Sequence, residues 1–409
     1  MEKLKEVKKA KDILQKLDTK RKKLVLESIA YEIIKNQKDI IEKNQIDISN
    51  AFAQNLKKSM IDRLIIDKNK IKDMADAIYD IAKMPEPVGK VLAQWTTKSS
   101  LHISKVATPI GVIGIIYESR PNVTSDTFAL CFKSSNITIL KGGKEARNTN
   151  MAIVSSIQKV LMSYDLPKDI VTYLDISRDE TYQLLKQNDT IDLIIPRGGE
   201  SLISFVVSNT TIPVIKHDKG LCHTYIDKYA DIQKAIDISI DAKCRRVEIC
   251  GAMESLLVHK DIADIFLPQI KTEFEKRDIT LKGCQKTRDI IDIDKANEKD
   301  FQTEYLDKIL SIKIVEDTTQ AIKHIQRYGS SHSDAIVSED KTQAKLFLDA
   351  VDSACVYLNT STQFTDGGEF GFGAEIGIST NKLHARGPMG LSELLTYKYQ
   401  ISSEGKTRA

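Results

Sequence analysis

A thiol on a connection between two regular elements is placed to attack a carbonyl or acyl group, and Cys250 occupies such a position. It lies in the run Lys243-Cys244-Arg245-Arg246-Val247-Glu248-Ile249-Cys250-Gly251-Ala252. Ile232 to Lys243 has apolar residues at helical spacing, and Ser255 to His259 is a short apolar run of strand type. Lys243, Arg245 and Arg246 stand near the helix end, where they would favour the thiolate, the reactive form of the side chain. The same residue also reads as a small buried hydrophobe, as most free cysteines are.

Two glycine-bearing strand ends offer a different chemistry. In Leu140-Lys141-Gly142-Gly143-Lys144-Glu145 and in Ile195-Pro196-Arg197-Gly198-Gly199-Glu200, an apolar run meets glycine and then a helical pattern. Backbone N–H groups at such a junction can meet a phosphate, and Lys141 and Lys144 could add charge toward an adenosine ribose or its 2′-phosphate. Neither is a GxGxxG fingerprint. Each could be a plain strand-to-helix turn; two in one domain favour a dinucleotide.

Polar residues crowd Glu118-Ser119-Arg120-Pro121-Asn122-Val123-Thr124, directly after an apolar strand. Asn122 or Ser119 could donate to an oxyanion there, while Arg120 and Glu118 could equally pair with each other. His332, in Gly329-Ser330-Ser331-His332-Ser333-Asp334, and Arg386, in His384-Ala385-Arg386-Gly387-Pro388, lie on polar loops suited to an anionic substrate. No GxSxG elbow supports a serine hydrolase.

The elements that must position these residues alternate. Residues 1 to about 85 are helical in pattern and end at Pro85 and Pro87. Strands are then expected at 105–117 (with a turn at 109–111), 136–141, 171–174, 191–195, 214–215 and 224–226, with helices at about 125–133 and 145–163. A second alternation follows 232–243, with strands at 255–258, 312–315, 335–337 and 356–359. This pattern predicts largely parallel, doubly wound α/β sheets. The stretch 366–390 reads as an ordered glycine-rich loop and 395–401 as a closing strand.

At 409 residues the chain exceeds one core and predicts two domains. A net charge of +3, with bases scattered beside acids, gives no case for nucleic acid. The six cysteines form no CxxC pair and no cluster of zinc spacing, so no metal is expected and the compartment reads as reducing. The first residues lack the apolar core of a secretory signal, and no run is long enough to span a bilayer. A cytoplasmic protein with no membrane association is expected.

Five separated segments resemble the gamma-glutamyl phosphate reductases, a family of the aldehyde dehydrogenase superfamily: Val106 to Thr124, Ile139 to Ala146, Tyr328 to Ile336, Gly373 to Ser379 and Leu383 to Leu391. The resemblance implies an aldehyde dehydrogenase-like α/β fold, two doubly wound domains with a small β extension for oligomerisation. The expected division is 1–225 for the cofactor domain, with extension strands near 100–117. Residues 226–365 would form the catalytic domain carrying Cys250, and 366–409 a return segment and oligomerisation strand. The implied reaction is NADPH-dependent reduction of L-glutamyl 5-phosphate to L-glutamate 5-semialdehyde, the second step of proline biosynthesis from glutamate. The implied partners are the small-molecule substrate, functional coupling to a glutamate 5-kinase, and a second copy of the chain in a dimer or tetramer.

By the same resemblance Cys250 is the nucleophile and Glu304 the glutamate on the nicotinamide ribose. Lys141 is the adenosine-ribose lysine, and their place at the strand ends puts Gly142, Gly143, Lys144, Gly198 and Gly199 beside the cofactor. Asn122 is the candidate oxyanion donor, although the superfamily's oxyanion asparagine has no gap-free counterpart near Ser119 to Asn122. Arg120, His223, His332 and Arg386 are candidates for substrate carboxylate or phosphate, on charge and loop position. The general-base glutamate of hydrolytic relatives falls at Lys216-His217-Asp218-Lys219-Gly220, where no glutamate stands. That departure suits a thioester that exchanges with phosphate. The competing readings are an NAD-dependent hydrolytic aldehyde dehydrogenase, which would need a base near His217, and a non-catalytic relative.

Overall fold

The computed structural model describes residues 6–216 and 219–408, with Ser59 by its backbone alone; His217 and Asp218, where a hydrolytic base was sought, lie outside the described residues. The chain divides into two compact units. The first takes the chain up to Lys216, with Gly371–Gly377 and the chain from Met389; the second runs from there to Phe370, with Ile378–Pro388. The division at 216/217 corrects the expected boundary at 225/226, which falls inside a strand, Cys222–Ile226, paired on both sides within the second unit.

In the first unit, the helices Val7–Leu14, Thr19–Lys35, Gln37–Ala53, Lys58–Leu64 and Lys68–Lys83 precede the strands. Local chemistry sets their starts: the carboxylates of Asp18 and Asp67 accept the N–H groups of Arg21 and Lys70, closing the first turn of their helices. Strands β1 (Val91–Thr96) and β2 (His102–Pro109) are antiparallel. They lead to β3 (Val112–Tyr117), β4 (Ile137–Lys141), β5 (Val171–Tyr173) and β6 (Leu193–Arg197). These four form a parallel sheet in the order β5-β4-β3-β6. Every residue of β3 is buried, as a central strand covered on both faces requires. The helices Asn122–Lys133 and Arg147–Ser163 join β3 to β4 and β4 to β5.

The second unit holds β7 (Cys222–Ile226), β8 (Met253–His259), β9 (Thr280–Gly283), β10 (Asp294–Lys295), β11 (Ile309–Val315), β12 (Ser333–Val337) and β13 (Cys355–Leu358). They form one parallel sheet in the order β10-β9-β11-β8-β7-β12-β13. Leu256 and Val258 of β8 pack with Phe266, Ile270 and Phe274 on one face. Leu257, one residue along, packs with Tyr225, Ile325 and Phe347 on the other. That alternation explains the continuous apolar run: each successive side chain meets a different buried layer. A short antiparallel pair, β14 (Ile378–Ser379) with β15 (Gly387–Pro388), completes this unit.

The last strand, β16 (Leu395–Ser402), returns to the first unit and pairs with β2, giving a three-stranded antiparallel sheet β1-β2-β16. The extension therefore comprises 91–109 and 395–402, and the segment 112–117 expected to belong to it is instead the central strand of the parallel sheet. Register carries the reason: Ile113 to Tyr117 pair on one side with β6, and Val112 to Ile116 on the other with β4. The expected strand at 214–215 is reduced to a single bridge between Ile194 and Val214.

Candidate active site

Cys250 stands in a turn between the helix Ile232–Cys244 and β8, half-buried. The turn is gripped from two sides. Thr362 donates its hydroxyl to the Gly251 carbonyl at 2.7 Å. Gln363, itself buried, donates its amide to the carbonyls of Ala242 and Arg246, at 2.9 and 3.3 Å. From the other side comes Gly220, at the entry to β7. A Cβ built there would lie 2.1 Å from the Cys250 carbonyl oxygen and 2.6 Å from its Cα. Only glycine permits that approach, since the obstruction is backbone. The Gly220 N–H donates to Glu304 Oε1 at 2.7 Å, so one residue joins the nucleophile turn to the carboxylate expected on the nicotinamide ribose.

Four of the other cysteines are held as thiols by their surroundings. Burial pushes the thiol of Cys131 up to about 12 and raises those of Cys222, Cys244 and Cys355, which keeps them protonated at neutral pH. Cys222 lies against the nucleophile turn, donating to the Cys250 carbonyl at 3.1 Å.

The three cations expected to favour the Cys250 thiolate are committed elsewhere. Lys243 is fully buried and paired with Glu254 at 2.8 Å. Arg245 donates to Gln363 Oε1 at 3.2 Å, and Arg246 lies 3.7 Å from Glu248 in an exposed pair. Local sequence showed the charges but not that the lysine turns inward.

The histidine and arginine candidates of this unit are also tied. His223 is a core residue: its Nδ1 meets Asp334 Oδ1 at 2.8 Å, both fully buried, and its ring stands edge-on to His324 at 5.5 Å. That location corrects its assignment to substrate. His332 is buried, with Nδ1 2.8 Å from Ser333 Oγ and 3.6 Å from Cys222 Sγ. Arg386, at β15, donates to the carbonyl and carboxylate of Asp352, at 2.9 and 2.8 Å.

In the first unit the structure brings both glycine turns together. β4 and β6 both pair with β3, all three parallel, so Gly142-Gly143 and Gly198-Gly199 leave the same, carboxyl end of the sheet. The strand order reverses between β3 and β6, the crevice where doubly wound sheets take ligands. The two residues after β3 reach into both turns. Glu118 accepts the Gly199 N–H at 3.0 Å. Ser119, in the left-handed region at φ 40°, gives both its N–H and its hydroxyl to Glu145 Oε1 at 2.8 Å. A Cβ on Gly198 would lie 2.4 Å from Glu118 Oε2, and one on Gly142 2.4 Å from Asn150 Nδ2. Glycine at these places thus answers the protein's own packing. Lys141 is half-buried at the end of β4, and burial lowers its pKa against the pull of Glu145 and Glu118; Lys144 is exposed. Two lysines at the carboxyl end of β4, beside β3, fit a cofactor carrying phosphates. Asn122 is exposed and gives its amide to Asp126 at 3.1 Å, and Arg120 beside it is also exposed.

Gly220, Glu254, Thr362 and Gln363 escaped the sequence reading. Each is distant from Cys250 in sequence or looks like an ordinary surface residue, and no local pattern marks them.

A profile of the aldehyde dehydrogenase family matches residues 3–288. The chain is 54% identical over 407 residues to a gamma-glutamyl phosphate reductase from Nitratiruptor sp., covering 99% of each chain. It is 50% identical over 406 residues to that of Aliarcobacter butzleri, covering 99% of this chain and 98% of the relative. The crystal structure of gamma-glutamyl phosphate reductase from Thermotoga maritima superposes with a TM-score of 0.97 at 44% identity, over 100% of this chain and 99% of the other. An acetylating aldehyde dehydrogenase from Geobacillus thermoglucosidasius shares the fold at 17% identity, TM-score 0.70, over 100% of this chain and 97% of that one. The chain belongs to the aldehyde dehydrogenase family, whose members are oxidoreductases using nicotinamide cofactors, and within it to the gamma-glutamyl phosphate reductases. No helix among the described residues is long and apolar enough to cross a membrane, and among those residues no cluster of metal-binding side chains occurs.

Proposed function

We propose that this chain reduces L-glutamyl 5-phosphate to L-glutamate 5-semialdehyde and phosphate, with NADPH as reductant, as the second step of proline biosynthesis. The observation that carries the reading is the Cys250 turn: a half-buried thiol outside the regular elements, joined through Gly220 to Glu304. The Cys250 sulfur attacks the acyl carbon, the bond from that carbon to the phosphate oxygen breaks, and inorganic phosphate leaves with the electron pair. The acyl group is then held as a thioester on Cys250, where Gly220, Thr362 and Gln363 fix the backbone around it. NADPH, when bound, supplies the hydride that takes the acyl carbon to the aldehyde level. Cleavage of the carbon–sulfur bond frees the semialdehyde and restores the thiol.

Lys141, Gly142, Gly143, Lys144, Gly198 and Gly199 would hold the phosphates and adenosine ribose, and Glu304 the nicotinamide ribose. Asn122 remains the candidate oxyanion donor, and Arg120 and Arg386 the candidates for substrate contact, with His332 from its buried position. Copies of the chain pair through the β1-β2-β16 sheet, which exposes Val91, Leu92, Trp95, Tyr397, Tyr399 and Ile401. Glutamate 5-kinase activity would supply the labile acyl phosphate.

The test runs the reaction backward, from glutamate semialdehyde, NADP and inorganic phosphate. NADPH formation that requires both phosphate and Cys250 supports the reading. Turnover without phosphate would replace it with a hydrolytic dehydrogenase.

A further inference from the structure

The nucleophile turn is closed at its base by a buried ion pair that the reaction does not itself require. Lys243 lies one residue before the end of the helix preceding the turn, and Glu254 is the second residue of the strand following it. Their side chains meet at 2.8 Å, 0% and 1% exposed. Lys243 takes one carboxylate oxygen. The other, Glu254 Oε1, accepts the N–H of Leu306 at 3.0 Å.

Leu306 is an unusual residue to find there. Its φ is 51°, the left-handed region that a leucine seldom adopts. Its side chain is among the exposed large hydrophobics, so burial does not force this backbone shape. The hydrogen bond to Glu254 restrains it, and a strained position that persists is held by its surroundings. Two residues earlier, Glu304 accepts the Gly220 N–H, and Gly220 packs on the Cys250 carbonyl. The contacts therefore form a circuit: Lys243, Glu254, Leu306, Glu304, Gly220 and back to the Cys250 turn. Nearby, Tyr305 donates to Asp300 at 3.0 Å, which also receives Lys282 at 2.7 Å, so the loop is braced on its other side as well.

We propose that Glu254, oriented by Lys243, is a positioning residue that couples the loop bearing Glu304 to the turn bearing Cys250. It touches neither substrate nor cofactor. Its carboxylate sets the backbone of Leu306, and through it the place of Glu304 relative to Gly220. The kinetic consequence rests on the proposed role of Glu304; the structural consequence does not.

The test uses paired substitutions, because Glu254→Ala alone would strand a buried ammonium and risk unfolding. K243M/E254L replaces the pair with apolar side chains of similar size and removes the acceptor for Leu306. K243M/E254Q removes the charge and keeps an acceptor oxygen. Hydrogen–deuterium exchange of the peptide covering Leu306, thermal midpoint, KM for NADPH and kcat are measured on the full chain. Loss of one buried hydrogen bond predicts exchange and kcat/KM each altered about tenfold in K243M/E254L. K243M/E254Q recovers most of both effects, while the thermal midpoints of the two stay close. Unaltered exchange in K243M/E254L overturns the proposal, as do equal losses in both double variants that simply follow the thermal midpoint. Glu304→Ala separates the two ideas. If it leaves NADPH binding unchanged while K243M/E254L still accelerates exchange, the assignment of Glu304 fails and the positioning role of Glu254 stands.

Discussion

The candidate residues of the two parallel sheets stand at opposite ends of their strands. In the four-stranded sheet the glycine turns follow β4 and β6, at the carboxyl end, where helices begin. In the seven-stranded sheet, Cys250 precedes β8, Gly220 and Cys222 stand at the start of β7, and His332 immediately precedes β12, all at the amino end. The carboxyl end of a doubly wound sheet offers free N–H groups and the positive pole of the following helices, which suits phosphate. The amino end offers helix C-termini, a poor place to collect an anion. There the Cys250 turn is fixed by backbone crowding and buried polar ties instead.

This contrast predicts unequal sensitivity. The largest loss falls on Cys250→Ala, which should lower phosphate-dependent turnover by about 10⁴-fold or more while leaving NADPH binding by calorimetry intact. Next comes Gly220→Ala. Its new methyl group meets backbone that cannot step aside, so kcat should drop by about 100-fold for a displacement on the order of 1 Å. Gly198→Ala is the matched change at the other sheet. There the methyl meets the carboxylate end of Glu118 and the tip of Leu202, which can move. A roughly fivefold rise in KM for NADPH, about 1 kcal/mol, with kcat nearly kept, is the expected result. Equal kcat losses in the two glycine variants would break the comparison.

A separate effect concerns stability rather than catalysis. Burial, aided by His223, Lys313 and Arg327, lowers the His324 pKa to about 2, so the folded protein keeps it neutral. The unfolded chain protonates at its ordinary value near 6.5. The folded-state pKa is depressed, so stability from this group is full above about pH 6.5 and declines as pH falls below it. Between pH 6.5 and 5 the decline is about 2 kcal/mol. Urea unfolding of the wild type and His324→Phe at pH 7 and 5 should show a smaller acid loss in the variant. Equal losses would remove His324 from the account.

Much of the scaffold was legible because it depends on local pattern. The run Ile113 to Ile116 and the run Leu256 to Val258 are apolar on successive residues, which only a strand buried on both faces sustains. Strand β1 was not legible: all six of its residues are exposed, so it lacks the one-sided alternation that marks a half-buried strand. Its place comes from pairing with β2. The thiol, the two glycine turns and Glu304 were also visible as residues, and the resemblance supplied their roles. The spacing could not say that Lys243 and Glu254 face each other in the core, since a charged residue near a helix end ordinarily points to water.

The amino-acid order by itself determined the alternation of helix and strand and the family, because apolar period and residue type are properties of short segments. Only the tertiary structure decided which groups are free to act. It turned Lys243 inward, sealed His223 against Asp334, tied Arg386 to Asp352, and set Gly220 on the Cys250 carbonyl. Those outcomes depend on contacts between residues up to 111 positions apart. A buried charge or a backbone approach has an energy only once its partner is in place.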